Sequence, residues 1–380
     1  MSVHDDLLGR REDYPVLARK TYLASHTLGA MHRRTAERLQ SFADLWATEG
    51  VVAWEQWMPE VRRVADVLGS LIGAPPGTTV LRQNVADLLG DLVSGLDWRG
   101  PRNRVITSSL EWPGSLHLWS QVHRWGGEAV VVPGTPDGLD VDLEAMLAAI
   151  DERTLVVECS HVLFRTSTLV DVKLLVDKAH EVGALAVVDG YQAAGTVPVD
   201  VVDLGVDVYV GGSVKYLSGG PGNGWMHVRP GLVLEPVTTG WFGQRSPFDF
   251  DPENHYAEGV ARFQGGTPGV PAHYAAGPAY EALAEIGVDR VRERSVSMTQ
   301  PLLESALDRG FTVRSPHDPA HRGGHVTIDP GDSQRVHDAL LSQGFVVDHR
   351  PGVGIRVSPH FYNTLDEAMA CLDAMEAAAR

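Results

Sequence analysis

The chain has 380 residues, 43% of them hydrophobic and 21% charged, a composition that can bury one large core and a smaller one and that sets disorder aside. Its formal net charge of −17 argues against nucleic acid or an anionic membrane as partner, because both need clustered Lys and Arg, and leaves a small-molecule substrate. Cys159 and Cys371, the only two cysteines, make neither a disulfide framework nor a zinc site and fit a reducing cytoplasm, while MSVHDDLLGRREDY at the start lacks an apolar signal core and no run of 18 apolar residues predicts a membrane span.

The polar opening of the chain leads into TYLASHTLGAMHRRTAERL, where turn chemistry around His26 and Thr27 precedes a predicted helix over 30–46. A second helix is predicted over 54–72, closed by the breaker GAPPGTT. Next come a short strand, a polar turn at Arg82, Gln83 and Asn84, and a helix from Val85. Such a turn offers unpaired N–H groups and the positive end of a helix dipole to a phosphate; it is equally the plain N-cap that Asn84 provides to any helix.

From Arg104 the pattern alternates. RVITSS, EAVVVP, TLVVECS and ALAVVDG read as strands, and SLHLWSQVHRWG, DLEAMLAAI and DVKLLVDKAHEVG as helices. Apolar, β-branched strands separated by amphipathic helices predict a mainly parallel sheet covered on both faces, with ligands at the carboxyl ends of the strands. Those ends carry residues 108–112, 160–165 and 189–192. Trp112 there is either a packing aromatic or a platform for a flat ring; Arg165 is a solvated cation or a ligand; His161 sits in an apolar setting that suits a hydrogen-bonded structural histidine. Asp189 is harder to explain structurally, since a carboxylate closing the run ALAVV is costly to bury without a cation.

That cation is at hand in Lys215, set between VDVYVGGS and YLSGGPGNGWMHV, whose glycines let the backbone pass close to a bulky ring and turn back into a strand. A buried carboxylate and a loop lysine at neighbouring strand ends suit pyridoxal phosphate (PLP), the aspartate pairing with the pyridine nitrogen and the lysine forming a Schiff base with the aldehyde. Beyond Leu307, FTV, GHVTIDP, FVVDH and GIRVS read as strands, with helices predicted over 333–342 and 364–378: a small α+β unit holding Arg350 and Arg356. Arg350, in DHRPG, reads equally well as a solvent-facing turn residue.

The motifs YLASHTLG, VLRQNVADLL, EWPGS, SHVLFRTS, VVDGYQAAGTVPVD, VKYLSGGPGNG, TTGWFGQ, ARFQGGTP and IRVSPHFYNTLDEA, spread in compatible order over 22–370, resemble those of class V, fold-type I PLP enzymes, and kynureninases in particular. The resemblance implies an α/β fold: a large, mainly parallel but mixed sheet sandwiched by helices over 50–270, a small α+β C-terminal domain over 271–380, and an N-terminal segment, 1–49, joining the small domain. It implies PLP as cofactor, Lys215 as its covalent anchor and Asp189 as partner of the ring nitrogen. Trp112 would stack on the ring, Gln192 would meet the ring hydroxyl, and the Asn84–Val85 turn would hold the phosphate. Trp241 and Thr267 would complete the phosphate and substrate site, Thr267 from the neighbouring subunit of a homodimer. Arg356 would grip the substrate α-carboxylate through its forked donors, with His26, Thr27 and Arg165 near the substrate.

The departures bear on the reaction. Kynureninases carry a tyrosine before the lysine and a histidine three places after the aspartate; here these are Val214 and Gln192, and GNSLG becomes SHTLG. Losing a phenolic acid/base costs roughly 10²- to 10⁴-fold in a step that needs it, which disfavours hydrolysis of kynurenine. The resemblance extends to kynureninase-like enzymes that process cysteine conjugates in lincosamide antibiotic biosynthesis. The expected activity is therefore that of a PLP lyase eliminating the β-substituent of an S-substituted cysteine or similar amino acid. Decarboxylation coupled to oxidative deamination, a class V aminotransferase, and a non-catalytic PLP-binding protein are the competing readings.

Overall fold

A computed structural model describes residues 5–380. Seven strands form the large sheet: β1 (Thr79–Arg82), β2 (Arg104–Ser108), β3 (Glu128–Val132), β4 (Thr154–Ser160), β5 (Leu185–Asp189), β6 (Val208–Gly212) and β7 (Gly224–Val228), in the order β1-β7-β6-β5-β4-β2-β3. Strands β2 to β6 run parallel; β7 is antiparallel to both β6 and β1, so the sheet is mixed, as expected. Successive side chains of a strand point to opposite faces, and here both faces are apolar. Val157, Ala186, Val188, Tyr209 and Trp225 enter one core, while Val156, Val187, Val208, Val210 and Met226 enter the other. Helices Trp54–Ser70, Leu143–Ala149 and Val172–Val182 cover the first face, and Val85–Ser94 with Trp98 and Trp119 the second.

A four-stranded antiparallel sheet, in the order Asp348–Arg350, Gly354–Val357, Val326–Asp329, Thr312–Val313, packs with helices Val288–Asp308, Ser333–Ser342 and Leu365–Ala379 around a third core. Thr21–Tyr22 pairs in parallel with Phe345–Val346, and Leu23 enters that core. Helix Val270–Ile286 packs against Arg34–Glu49 and Trp54–Ser70, with Trp57, Val61, Val270 and Tyr274 in a separate small core.

The expected elements recur with three shifts. The helix predicted over 30–46 spans Arg34–Glu49, because the preceding residues are spent on tertiary bonds: Gly29 N–H donates to Val214 O at 2.6 Å and Ala30 N–H to the Tyr362 hydroxyl at 3.4 Å. SLHLWSQVHRWG divides into an α-helix, Pro113–Trp119, and a 3₁₀ turn, Ser120–Trp125, ended by left-handed Gly126. FVVDH breaks at buried Val347 into two strands belonging to different sheets.

Candidate active site

Ser160 and Asp189 close β4 and β5 and lie opposite each other in register, so both stand at the carboxyl edge of the parallel strands, where β6 also ends. A cavity of about 460 Å³ opens there. Its wall brings together His26, Thr27, Asn84, Val85, Trp112, Asp189, Gln192, Lys215 and Arg356 from the sequence-predicted set. It adds Ser160, Phe164, Tyr191, Val214 and Arg350. Three of the predicted residues lie outside this wall: Thr267 is exposed in the turn before helix Val270–Ile286, Trp241 packs among Phe242, Phe248 and Phe250 beside a different surface cavity, and Arg165 is the third. Arg165 is exposed, its guanidinium 5.6 Å from the Phe164 ring centroid, outside the cavity wall.

The backbone explains the convergence. Gly224 opens β7 against the Asn84–Val85 peptide: an added Cβ would sit 2.3 Å from Asn84 C, so only glycine lets the two strands bring the helix start to the cavity. Asn84 is extended and caps helix Val85–Ser94, its Oδ1 accepting from Asp87 N–H at 2.9 Å. Asn84 is thus a cap, and the first turn of its helix faces the cavity. Gly29 presses on the lysine loop, where a Cβ would meet Lys215 O at 2.2 Å, and this contact seats His26 and Thr27 in the wall.

Asp189 is 6% exposed and its Oδ1 accepts Tyr191 N–H at 2.7 Å. Burial raises its pKa, against the pull of that N–H and of Lys215. Lys215 Nζ stands 4.3 Å from the Tyr191 ring centroid and 6.0 Å from that of Trp112. Burial lowers its pKa to about 7, Asp189 opposing and Arg356 and Arg350 reinforcing the shift, which leaves a substantial neutral amine near neutrality. Trp112 is 46% exposed and meets Phe164 edge-on at 5.1 Å, so one of its faces remains open rather than filling a core.

Arg356 is 1% exposed. Its Nε donates to Asp348 Oδ2 at 2.8 Å, its Nη2 donates to the same oxygen and reaches Thr27 Oγ1 at 3.5 Å, and its Nη1 donates to Phe164 O at 2.5 Å. The guanidinium is thereby held in one orientation, with one Nη1 N–H left over. His26 is fully buried, its Nε2 3.7 Å from Asp348 Oδ2 and its ring 4.9 Å from that of His325. Burial, reinforced by Arg356, lowers its pKa to about 3, so His26 is neutral at pH 7.

Sequence reasoning missed the acids behind this wall. Ser160 Oγ donates to Glu111, which is 2% exposed and whose pKa burial raises to about 7; Thr107 Oγ1 donates to Glu158, raised further by burial and by Glu111. Glu111 precedes Trp112 at a strand exit, a legible position for a carboxylate near the site. Glu158, inside the strand TLVVECS, was legible only as a charge in an apolar run.

These residues fit PLP. Lys215 is an amine with a depressed pKa at the cavity wall, Asp189 is a buried carboxylate without a side-chain cation bonded to it, Trp112 offers an open aromatic face, and Gln192 Oε1 is buried with no partner while its Nε2 donates to His26 O at 3.2 Å. Among the described residues no cluster of three His, Cys, Asp or Glu is arranged to hold a metal ion, and no helix is long and apolar enough to cross a membrane. Both cysteines are free and buried.

Comparison with known proteins agrees. Residues 60–368 match the family described as aminotransferase class-V. An uncharacterized aminotransferase, YcbU, of Bacillus subtilis is 30% identical over 97% of this chain and 96% of its own. The kynureninase of Pseudomonas fluorescens is 29% identical over 92% of this chain and 86% of its own. Among solved structures, the cysteine desulfurase of Thermococcus onnurineus superposes with a TM-score of 0.87 at 21% identity over 99% of this chain and 98% of its own. The cystine C–S lyase C-DES, in complex with its product cysteine persulfide, superposes with a TM-score of 0.87 at 20% identity over 96% and 99%. The chain has the fold-type I architecture, belongs to the class-V aminotransferase family and is a pyridoxal-phosphate-dependent enzyme.

Proposed function

We infer that the enzyme is a lyase of secondary metabolism that eliminates the β-substituent of an S-substituted cysteine or a similar α-amino acid. The carrying observation is that the cavity keeps Lys215, Asp189 and Arg356 together while Val214 and Gln192 stand in its wall where the kynureninase resemblance expects a tyrosine and a histidine. PLP, when bound, supplies an electron sink for the bond broken at Cα of an amino acid. Arg356, already fixed by Asp348 and Phe164 O, presents its free Nη1 N–H, and the Nη2 N–H now 3.5 Å from Thr27 Oγ1, to the α-carboxylate and so orients the Cα–H bond. Lys215 Nζ, neutral in part near pH 7, takes the Cα proton. Asp189 keeps negative charge at the sheet edge for the ring nitrogen, Trp112 and the apolar groups Val85, Leu89 and Leu118 exclude water, and the first turn of helix Val85–Ser94 takes the phosphate.

The elimination balances as follows: the Cβ–S pair leaves with sulfur, which gains a proton to become the thiol, and water converts the three-carbon remainder to pyruvate and ammonia. The cystine C–S lyase indicates that this fold accommodates such a cleavage. The aminotransferase relative favours a second reading, transamination, in which Lys215 would return the proton to the cofactor and a keto acid would be consumed. Decarboxylation with oxidative deamination of the same conjugate is the third.

The deciding experiment incubates the PLP-loaded protein with cysteine S-conjugates and follows thiol, pyruvate, CO₂, aldehyde and keto-acid consumption. Thiol with pyruvate supports the lyase; CO₂ with aldehyde, keto-acid turnover, or no turnover overturns it. Lys215→Ala is expected to abolish the absorbance band of covalently held cofactor, and an unchanged band would remove the anchor assignment. The same reading takes the active enzyme as a homodimer in which Thr267 reaches the partner's cavity, and it divides the chain at 1–49, 50–270 and 271–380.

A further inference from the structure

Resting on the reading that Arg356 takes the α-carboxylate, we propose that Arg350 is a second substrate-facing cation that selects α-amino acids carrying another oxyanion beyond Cβ. Arg350 lines the cavity with a side chain that is 33% exposed, yet its Nε is buried and has no hydrogen-bond partner. The nearest carboxylate oxygen, Asp348 Oδ2, lies 3.4 Å from that Nε. That oxygen is already committed to Nε and Nη2 of Arg356 and is 3.7 Å from His26 Nε2.

One carboxylate therefore serves two guanidiniums. Asp189 is the only acidic side chain among the lining residues, and it stands against Lys215. His26 is neutral and adds nothing to either side. Among the described residues, the end of the cavity formed by the small sheet thus sets two guanidiniums against one carboxylate, an arrangement that an incoming anion stabilises.

The backbone sets the spacing. Asp348 and Arg350 are two apart on one strand and share a face; Asp348 pairs in register with Arg356, and Arg350 with Gly354. Glycine opposite Arg350 leaves its guanidinium uncovered from the neighbouring strand. Arg350 and Arg356 are therefore diagonal neighbours on one face, roughly 7–8 Å apart at their backbones. A carboxylate seated at Arg356 therefore leaves Arg350 within reach of a group two or three bonds past Cβ. The same cavity wall includes the apolar side chains of Val162, Phe164 and Leu118. The ligand class that fits is an S-substituted cysteine whose substituent has a short apolar arm ending in a carboxylate or comparable oxyanion.

The test compares S-carboxymethylcysteine with its neutral isostere S-carbamoylmethylcysteine on the PLP-loaded enzyme and on Arg350→Gln and Arg350→Lys. Affinity is read from the change in cofactor absorbance, and turnover from thiol release. The wild type is expected to favour the acid by about tenfold, as a charge-assisted pair allows. In Arg350→Gln the ratio falls to near one, and in Arg350→Lys it is partly kept. Equal handling of both ligands by the wild type, or an unchanged ratio in Arg350→Gln, overturns the proposal. So does loss of cofactor from Arg350→Gln on dialysis, which would assign Arg350 to the phosphate. Should neither ligand release thiol while the absorbance preference and its loss persist, the lyase reading falls and the assignment of Arg350 stands.

Discussion

At the scale of single residues, Asp348 and Glu111 show how buried charge is managed around the cavity. Asp348 is kept well below the usual carboxylate range by Arg356, against the opposing effect of burial. Asp348→Asn would leave Arg356, 2% exposed at its side chain, without its anion; the expected cost is about 3 kcal/mol in urea unfolding, with weaker amino-acid binding because the guanidinium loses its fixed orientation. Glu111 has the opposite sign. Its folded pKa, about 7, lies above its ordinary 4.5, so its contribution to stability is full below pH 4.5 and is lost as pH rises through 7. Glu111→Gln removes that loss: denaturant midpoints of the two proteins should move apart in favour of the variant between pH 4.5 and 8, and a pH-independent difference would contradict this. Lys215 and Asp189 were legible because a charge ending an apolar strand asks for a reason. Arg350 and Asp348 were not, because DHRPG reads as an ordinary turn until its strand pairs with Gly354–Val357.

At the scale of elements, alternation of apolar strands and amphipathic helices from Arg104 carried over almost unchanged, since a strand buried on both faces must be apolar throughout. Boundaries moved wherever backbone groups were claimed by distant partners, as Gly29 and Ala30 were by the lysine loop and Tyr362. Gly224 makes the argument testable. Gly224→Ala places a methyl group 2.3–2.6 Å from the Asn84–Val85 backbone and should cost roughly 1–3 kcal/mol as overpacking. Because the displaced atoms begin the helix assigned to the phosphate, PLP affinity should fall with stability; a full loss of stability margin with PLP affinity intact would detach that helix from the cofactor. Gly231, left-handed and with open space around it, is a control: alanine there strains the backbone without touching the cavity.

At the scale of the whole molecule, one chain does not gather every residue that the resemblance assigns to the site. Trp241, Phe248 and Phe250 expose an aromatic patch, and Thr267 is exposed nearby in sequence, whereas the cavity lies elsewhere. The homodimer reading expects light scattering to give twice the 41.2 kDa chain mass at working concentration, and Thr267→Ala to weaken PLP binding in the dimer; a fully active monomer would refute it. By itself the sequence determined what local chemistry decides: the α/β class with a mainly parallel sheet, the strand-end aspartate, the loop lysine and the capping asparagine; the resemblance of its motifs to class V enzymes added the mixed sheet and the family. Only the tertiary structure decided which strand ends share one cavity, that Asp348 serves two arginines, that Glu111 and Glu158 stack behind the wall, and that Trp241 and Arg165 stay outside it. The reason is physical: periodicity and turn chemistry depend on neighbours within a few residues, whereas burial, and with it every pKa shift and unmatched charge, depends on segments hundreds of residues apart.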